Sequence, residues 1–404
     1  MSAEFFPPRL NLVLVKVVQW LSPLVGRWFY QVDLEIEPEC LERLRAIQQH
    51  RLLLLPNHPT FHDPIVVFLL SARLGKPFYY LAAYEQFQGI LGWFFQSVGV
   101  YSIRRGMADR ASIGQTLDLL SQPHCRLVIF AEGGCSFQND TVMPFRVGAV
   151  QMAFQVLNRF AKQGQEIPDL YVVPVSIKYR YSGDMSGVIQ QTLQALERAL
   201  GLPSTGDDYQ RLRAIAERVL INLEQEYNLD QPERQQQPWN NRITSLRSHV
   251  VQECERQMGL TAIPGEPIRE RVYRIQYAIK TQDDQAEILA GEANWTLESV
   301  EKATIRLLNF DAIYDGYVAT HPSAERFLDT LIRLEREVFE INQPPPKGHR
   351  NAVVRIGDPV NLKDEFSAYR QDRNATTTRL VTHLQQSVQA NLDRLNDGGN
   401  MSKG

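Results

Sequence analysis

The stretch RLLLLPNHPTFHDP, residues 51–64, sets an apolar run directly against two histidines and an aspartate. Four consecutive leucines closed by a proline are too short a run for a helix and predict a strand buried on both faces, as strands of parallel sheets are. The proton-active residues then stand in the loop leaving that strand's carboxyl end, which is where open α/β sheets meet their ligands.

The same texture extends to about residue 180. KPFYYLAA (76–83), GVYSIRR (99–105), CRLVIFAEGG (125–134) and DLYVVPVSIKY (169–179) predict further strands. PIVVFLLSARLG (64–75), ADRASIGQTLDLLS (108–121) and VGAVQMAFQVLNRFAKQG (147–164) carry helical periodicity between them. Strand and helix in alternation predict an α/β fold whose mostly parallel sheet is flanked by helices.

After about residue 185 the pattern becomes helical and densely charged. VIQQTLQALERALG (188–201), DDYQRLRAIAERVLINLEQEY (207–227) and SAERFLDTLIRLEREVFEI (323–341) predict amphipathic helices. NFDAIYDGY (309–317) reads as an ordinary helix face despite its two aspartates and two tyrosines. Beyond PPPK (344–347), NAVVRIGDPVNL (351–362) predicts one more strand and turn, and TTTRLVTHLQQSVQANLDRL (376–395) a final helix. The expected organisation is an N-terminal helical segment (1–45), an α/β core (46–184), a large all-helical insertion (185–345) and a return to the core (346–397). A separate C-terminal helical domain is the alternative. The tail NDGGNMSKG (396–404) is expected to be disordered.

A net charge of −3 in 404 residues argues against a nucleic-acid partner. Cys40, Cys125, Cys135 and Cys254 are scattered, which predicts neither a disulfide framework nor a zinc site. The first residues lack a basic segment and a cleavage signal, so no signal peptide is expected. RLNLVLVKVVQWLSPLVGRWFY (9–30) is apolar and aromatic but interrupted by Lys16 and Pro23. It predicts a helix pair lying in the headgroup zone of a membrane, on the cytoplasmic side, with a buried packing helix as the alternative.

Three clusters carry polar chemistry. Pro59 and Pro64 disfavour a helix through residues 57–64, so the loop can turn His58 and Asp63 toward each other. A carboxylate on Nδ1 would make the imidazole a general base toward a hydroxyl, although on spacing alone a satisfied loop hydrogen bond is the commoner meaning of His-x4-Asp. His62 opens a metal reading with His58 and Asp63, but the prolines spoil the helical spacing two histidine ligands need, and no metal is expected. Arg104 and Arg105 end one strand as candidate anion ligands. Glu132 and Gly133 end another at a Gly-Gly turn suited to close backbone approach. Cys135 reads as a small buried turn residue rather than a thiol nucleophile.

In order, NHPTFHD (57–63), GVYSIRR (99–105), FAEGGCS (130–136) and VVPVSI (172–177) resemble the motif blocks of the glycerolipid acyltransferases, which include lysophosphatidic acid acyltransferases. The resemblance covers roughly residues 50–180, with NAVVRIGDPVNL similar to that family's closing strand. It implies that His58 deprotonates an acceptor hydroxyl for attack on an acyl thioester while Asp63 orients the ring. It further implies that Arg104 and Arg105 hold the acceptor's phosphate, that Glu132 and Gly133 belong to the acceptor site, and that Pro174 shapes an acyl channel. No cofactor is implied; acyl-CoA or acyl carrier protein is the donor, and the membrane surface a partner. Gly134 and Cys135 depart from the family's Thr-Arg, and Arg146 can supply the lost basic group. The expected activity is acyl transfer to a lysophospholipid such as lysophosphatidic acid. Transfer to another lipid alcohol, hydrolysis of the thioester, and a non-catalytic lipid- or acyl-carrier-binding role are the alternatives.

Overall fold

The computed structural model describes residues 5–281 and 295–397. The chain divides into an α/β unit (Met1–Arg104, Asp109–Ser182, Gly348–Gly404) and a helical unit (Arg105–Ala108, Gly183–Lys347). The tail expected to be disordered lies, from residue 398 on, outside the described residues.

The α/β unit runs α1 (Leu12–Phe29), β1 (Val32–Ile36), α2 (Pro38–Ala46), β2 (Arg51–Pro56), α3 (Asp63–Leu74), β3 (Tyr79–Ala83), α4 (Gly89–Ser97), β4 (Val100–Ile103), α5 (Arg110–Ser121), β5 (Arg126–Val128), α6 (Gly148–Lys162) and β6 (Leu170–Tyr181). The helical unit follows with α7 (Ser186–Leu200), α8 (Asp208–Glu226), α9 (Pro232–Gln235), α10 (Trp239–Gln257), α11 (Ile268–Thr281), α12 (Leu297–Asn309), α13 (Tyr317–Thr320) and α14 (Ala324–Val338). The chain then returns to the α/β unit as β7 (Arg350–Ile356), β8 (Val360–Asn361), α15 (Leu362–Gln371) and α16 (Arg373–Asp397).

The fold is a mixed, mostly parallel sheet flanked by helices, in the order β1-β7-β6-β2-β5-β3-β4 with β8 beside β6. The β6-β2-β5-β3-β4 stretch is parallel throughout, so its strands all end at one edge. β2 lies in the middle, and its leucines serve both faces. Leu53 and Leu55 join the layer packed on α5, α6, α15 and α16, while Leu52 and Leu54 join the layer packed on α2 and α3. This two-sided burial is why the strand reads as an unbroken apolar run.

Several sequence expectations change in detail. The 9–30 stretch contains one helix, α1, with Pro23 inside it, rather than a helix pair. The N-terminal segment also contains β1, whose VDLEI sequence lacks a continuous apolar run because it lies at the end of the sheet. Two strands return after the helical unit, and both pair antiparallel with β6. NFDAIYDGY belongs largely to the connection between α12 and α13 rather than to a helix face. Asp311 there pairs with Arg247 and with Arg269 Nε at 2.8 Å, and Asp315 pairs with Arg213 at 2.5 Å.

Candidate active site

Past Pro56 the chain leaves β2 under tight control. The buried Asn57 acts as a side-chain substitute for strand pairing: its amide donates to the Ile177 carbonyl at 3.0 Å, and its oxygen accepts from the Ile177 N–H at 2.7 Å. His58 follows, fixed through its backbone. Its N–H donates to Glu132 Oε1 at 2.8 Å, and its carbonyl accepts from the Ser136 N–H at 2.8 Å. Pro64 occupies the first turn of α3, where its missing N–H costs nothing, and so permits a helix that begins at Asp63.

The imidazole and the carboxylate meet in this turn. His58 Nδ1 lies 2.6 Å from Asp63 Oδ2. Asp63 is fully buried and accepts three other hydrogen bonds. The Thr60 N–H reaches Oδ2 at 2.9 Å, the Thr60 hydroxyl reaches Oδ1 at 3.1 Å, and the Tyr179 hydroxyl reaches Oδ1 at 2.6 Å. Such a set of donors suits an ionised, acceptor-only carboxylate. His58 therefore donates from Nδ1 and keeps Nε2 as its basic nitrogen. Burial opposes charge on His58, but the neighbouring Cys135 and the hydrogen-bonded Asp63 carboxylate outweigh it and raise the imidazole well above 6.5. Burial also pushes the Tyr179 hydroxyl well above 10, reinforced by the Asp63 charge, so it remains a donor.

The ring is held on its faces as well. Phe130 stacks on it with centroids 4.4 Å apart. Cys135 Sγ stands 3.5 Å from Nε2 and 3.8 Å from Nδ1. A thiol in line with the Nε2 lone pair would be much farther from Nδ1 than from Nε2, so this sulfur packs against the imidazole. Cys135 is half-buried rather than buried as expected.

His62 has a different assignment. Its Nδ1 accepts from Arg350 Nη2 at 2.7 Å, and burial followed by the Arg350 charge lowers its pKa to about 4. It is neutral at physiological pH and turned to Arg350 rather than to a site shared with His58. Among the described residues no group of three His, Cys, Asp or Glu side chains is placed to hold a metal ion.

The other candidate residues divide. Glu132 is buried and engages the His58 backbone, which makes it a brace of the loop. Gly133 adopts φ +76°, and a Cβ there would run into the Arg146 guanidinium, so Gly133 is where Arg146 fits against the turn. The Arg146 N–H also donates to the Ala131 carbonyl at 2.9 Å. Arg104 ends β4 on the same sheet edge as His58. There it forks onto Asp109 through Nε at 3.2 Å and Nη2 at 2.9 Å, while Asp109 caps α5. Arg105 belongs with the helical unit, where its guanidinium lies 4.4 Å from the Tyr273 ring centroid. Pro174 is buried in β6, and its carbonyl accepts from the Gly357 N–H at 2.9 Å. Tyr179 and Thr60 escaped the sequence reading. Thr60 lies within the NHPTFHD turn, where Thr three positions before Asp was an available signal, whereas Tyr179 is 116 positions from its partner.

The elements that build this edge, from β2 through β6, coincide with a family model described as Acyltransferase, which matches residues 36–178. Residues 36–178 form an acyltransferase-family domain. Similar curated proteins are glycerolipid acyltransferases. The dihydroxyacetone phosphate acyltransferase of Bos taurus is 27% identical over 191 residues, covering 45% of this chain and 26% of that protein. That of Homo sapiens is 27% identical over 176 residues, covering 42% and 24%. The matched portion therefore spans about a quarter of the length of these relatives. The acyltransferase domain contains His58, Asp63, Arg104, Glu132 and Arg146; Tyr179 lies one residue past the end of the match.

Proposed function

We propose that the protein is a membrane-associated O-acyltransferase that moves a fatty acyl group from an acyl thioester to the hydroxyl of a lysophospholipid such as lysophosphatidic acid. The observation that carries this reading is the His58–Asp63 pair, with Thr60 and Tyr179 fixing the carboxylate at the end of a central parallel strand. His58 Nε2 takes the acceptor's hydroxyl proton as the oxygen attacks the thioester carbonyl. Collapse of the tetrahedral species releases the donor thiol, which receives that proton from His58. Asp63 holds the imidazole in the required tautomer and stabilises its cation. Arg146, pressed against the Gly133 turn, is the proposed contact for the acceptor's phosphate, and Arg104 stands at the same edge with its fork on Asp109. Acyl-CoA and acyl carrier protein are both suitable donors, and no cofactor takes part in these steps.

A second acceptor is favoured by the relatives' names, which specify dihydroxyacetone phosphate. It offers the same two handles, a hydroxyl and a phosphate. The test is a matrix of labelled acyl-CoA and acyl-carrier donors against lysophosphatidic acid, dihydroxyacetone phosphate, glycerol 3-phosphate and neutral lipid alcohols. Ester formation with lysophosphatidic acid, lost in His58→Ala, is the expected result. Transfer confined to dihydroxyacetone phosphate renames the acceptor. Thioester consumption that yields only free fatty acid, or lipid binding without turnover, would overturn the proposal.

A further inference from the structure

α1 and α4 are built inside out for water. The residues α1 buries are Val15, Gln19, Ser22 and Gly26, a mostly small or polar stripe. Gln19 donates to Ser71 Oγ and to the Lys76 carbonyl, both at 3.0 Å, which holds that stripe on the α/β unit. The opposite side exposes Trp20 and Trp28, at 78% and 75%, and Phe29 at the end of the helix is 78% exposed. α4 repeats the inversion: it buries Gly92, Gln96 and Ser97 and exposes Ile90, Leu91 and Trp93. A helix on a water-soluble surface turns its apolar stripe to the core and its polar side outward. Two helices with the reverse arrangement match an apolar surrounding outside the protein.

The two helices are joined. The Arg9 N–H donates to the Gln96 carbonyl at 2.8 Å and the Asn11 N–H to the Ser97 carbonyl at 2.9 Å, tying the start of α1 to the end of α4. Their other ends both lie at the sheet edge that carries His58. α4 begins just after the carboxyl end of β3, and α1 ends next to Tyr30, whose ring meets His62 edge-on at 5.5 Å. Residues 5–31 contain Arg9, Lys16 and Arg27 and no acidic residue, in a chain whose net charge is −3. Arg27 has Asp33 as a neighbour at 3.5 Å. Residues 86–106 likewise contain no acidic residue.

We infer that α4 is a second membrane-inserting element and that it forms, with α1, one face that docks side-on in an anionic lipid bilayer. Tryptophans suit the headgroup level, and the basic residues suit anionic headgroups. By length and composition alone α1 is long and apolar enough to cross a membrane. Its attachment along the Gln19 stripe favours a flat pose, with that side on the protein and the aromatic side in lipid. The consequence for catalysis rests on the acyl-transfer reading: a lipid acceptor would reach His58 from the bilayer, between the ends of the two helices.

The test is flotation of the full chain with vesicles of equimolar phosphatidylcholine and phosphatidylglycerol, beside vesicles of phosphatidylcholine alone. Leu91→Glu/Trp93→Glu alters α4 and Trp20→Glu/Trp28→Glu alters α1, all at exposed positions whose change spares the core. Each pair is expected to lower the bound fraction at least about tenfold, and the wild type to prefer anionic vesicles. Undiminished binding of the α4 variant would overturn the inference. So would a wild-type dimer in light scattering that becomes a monomer in the α4 variant, since that assigns the face to a second copy of the chain. Binding is read without turnover. A wild type that floats through both helices yet transfers no acyl group would count against the proposed function and leave the docking face standing.

Discussion

In the α/β unit the central strands bury leucine and valine almost without interruption, and the His58–Asp63 pair stands just past the end of β2. In the helical unit the interior itself contains charge. Arg211 forks onto Glu197 at 2.7 and 2.8 Å, and Arg242 onto Glu224 at 3.0 and 2.6 Å, with all four residues buried. A guanidinium and a carboxylate in such a fork satisfy each other and fix how α7, α8 and α10 pack. The His58–Asp63 pair is also short and enclosed, but an imidazole has a second nitrogen. One kind of ion pair fastens structure, and the other leaves a base for chemistry.

Variants can break this contrast. Asp63→Asn should give the largest effect, a loss of acyl-transfer rate of about 10²–10⁴-fold in steady-state assays. The amide would present its NH2 to Nδ1, moving the imidazole proton to Nε2 and removing the base; the Thr60 and Tyr179 hydroxyls keep their oxygen partner, and the Thr60 N–H loses its own. In the helical unit the matching change acts on stability. Arg242→Ala leaves Glu224 buried without its fork and should cost about 3–5 kcal/mol in denaturant unfolding. Arg242→Met/Glu224→Leu should recover most of that loss, because apolar packing can replace a buried pair.

A smaller effect is expected at His62. Its folded pKa, lowered to about 4, lies below the unfolded value near 6.5. The unfolded chain therefore binds the proton first, so the His62 contribution is complete above about pH 6.5 and fades as pH falls toward 4. Unfolding free energies measured across that window should differ in slope between wild type and His62→Gln, with roughly 2 kcal/mol at stake after allowance for partial solvent access. Tyr179→Phe should give the smallest change, about 1.5 kcal/mol in thermal unfolding for one lost hydrogen bond to a buried carboxylate, with Thr60 still in place.

The sequence disclosed what is local. Leucine runs announce β2, and His58 and Asp63 fall in one turn bounded by prolines, so their meeting depends on few residues. What it concealed depends on distant segments. Tyr179 reaches Asp63 only because β6 runs parallel beside β2, and VDLEI becomes β1 only because β7 returns beside it. Arg104 and Arg105 read as one cluster, yet consecutive side chains at the end of a strand diverge, and the two fall in different units. α1 was readable as apolar but not as inverted, because only the packed structure reveals which stripe Gln19 fastens inward. α4 gave no signal beyond a short aromatic run.

His58 as the general base is best tested by the pH dependence of kcat/KM for acyl transfer, measured on the full chain with saturating acyl thioester. A general base must be neutral to accept a proton, and His58 in this site holds its proton well above 6.5. The rate should rise with pH along a single-proton limb whose midpoint lies above the ordinary histidine value, and that limb should be missing from the residual rate of His58→Ala. A profile that is flat through neutral and mildly alkaline pH, or a limb that survives in His58→Ala, would contradict it.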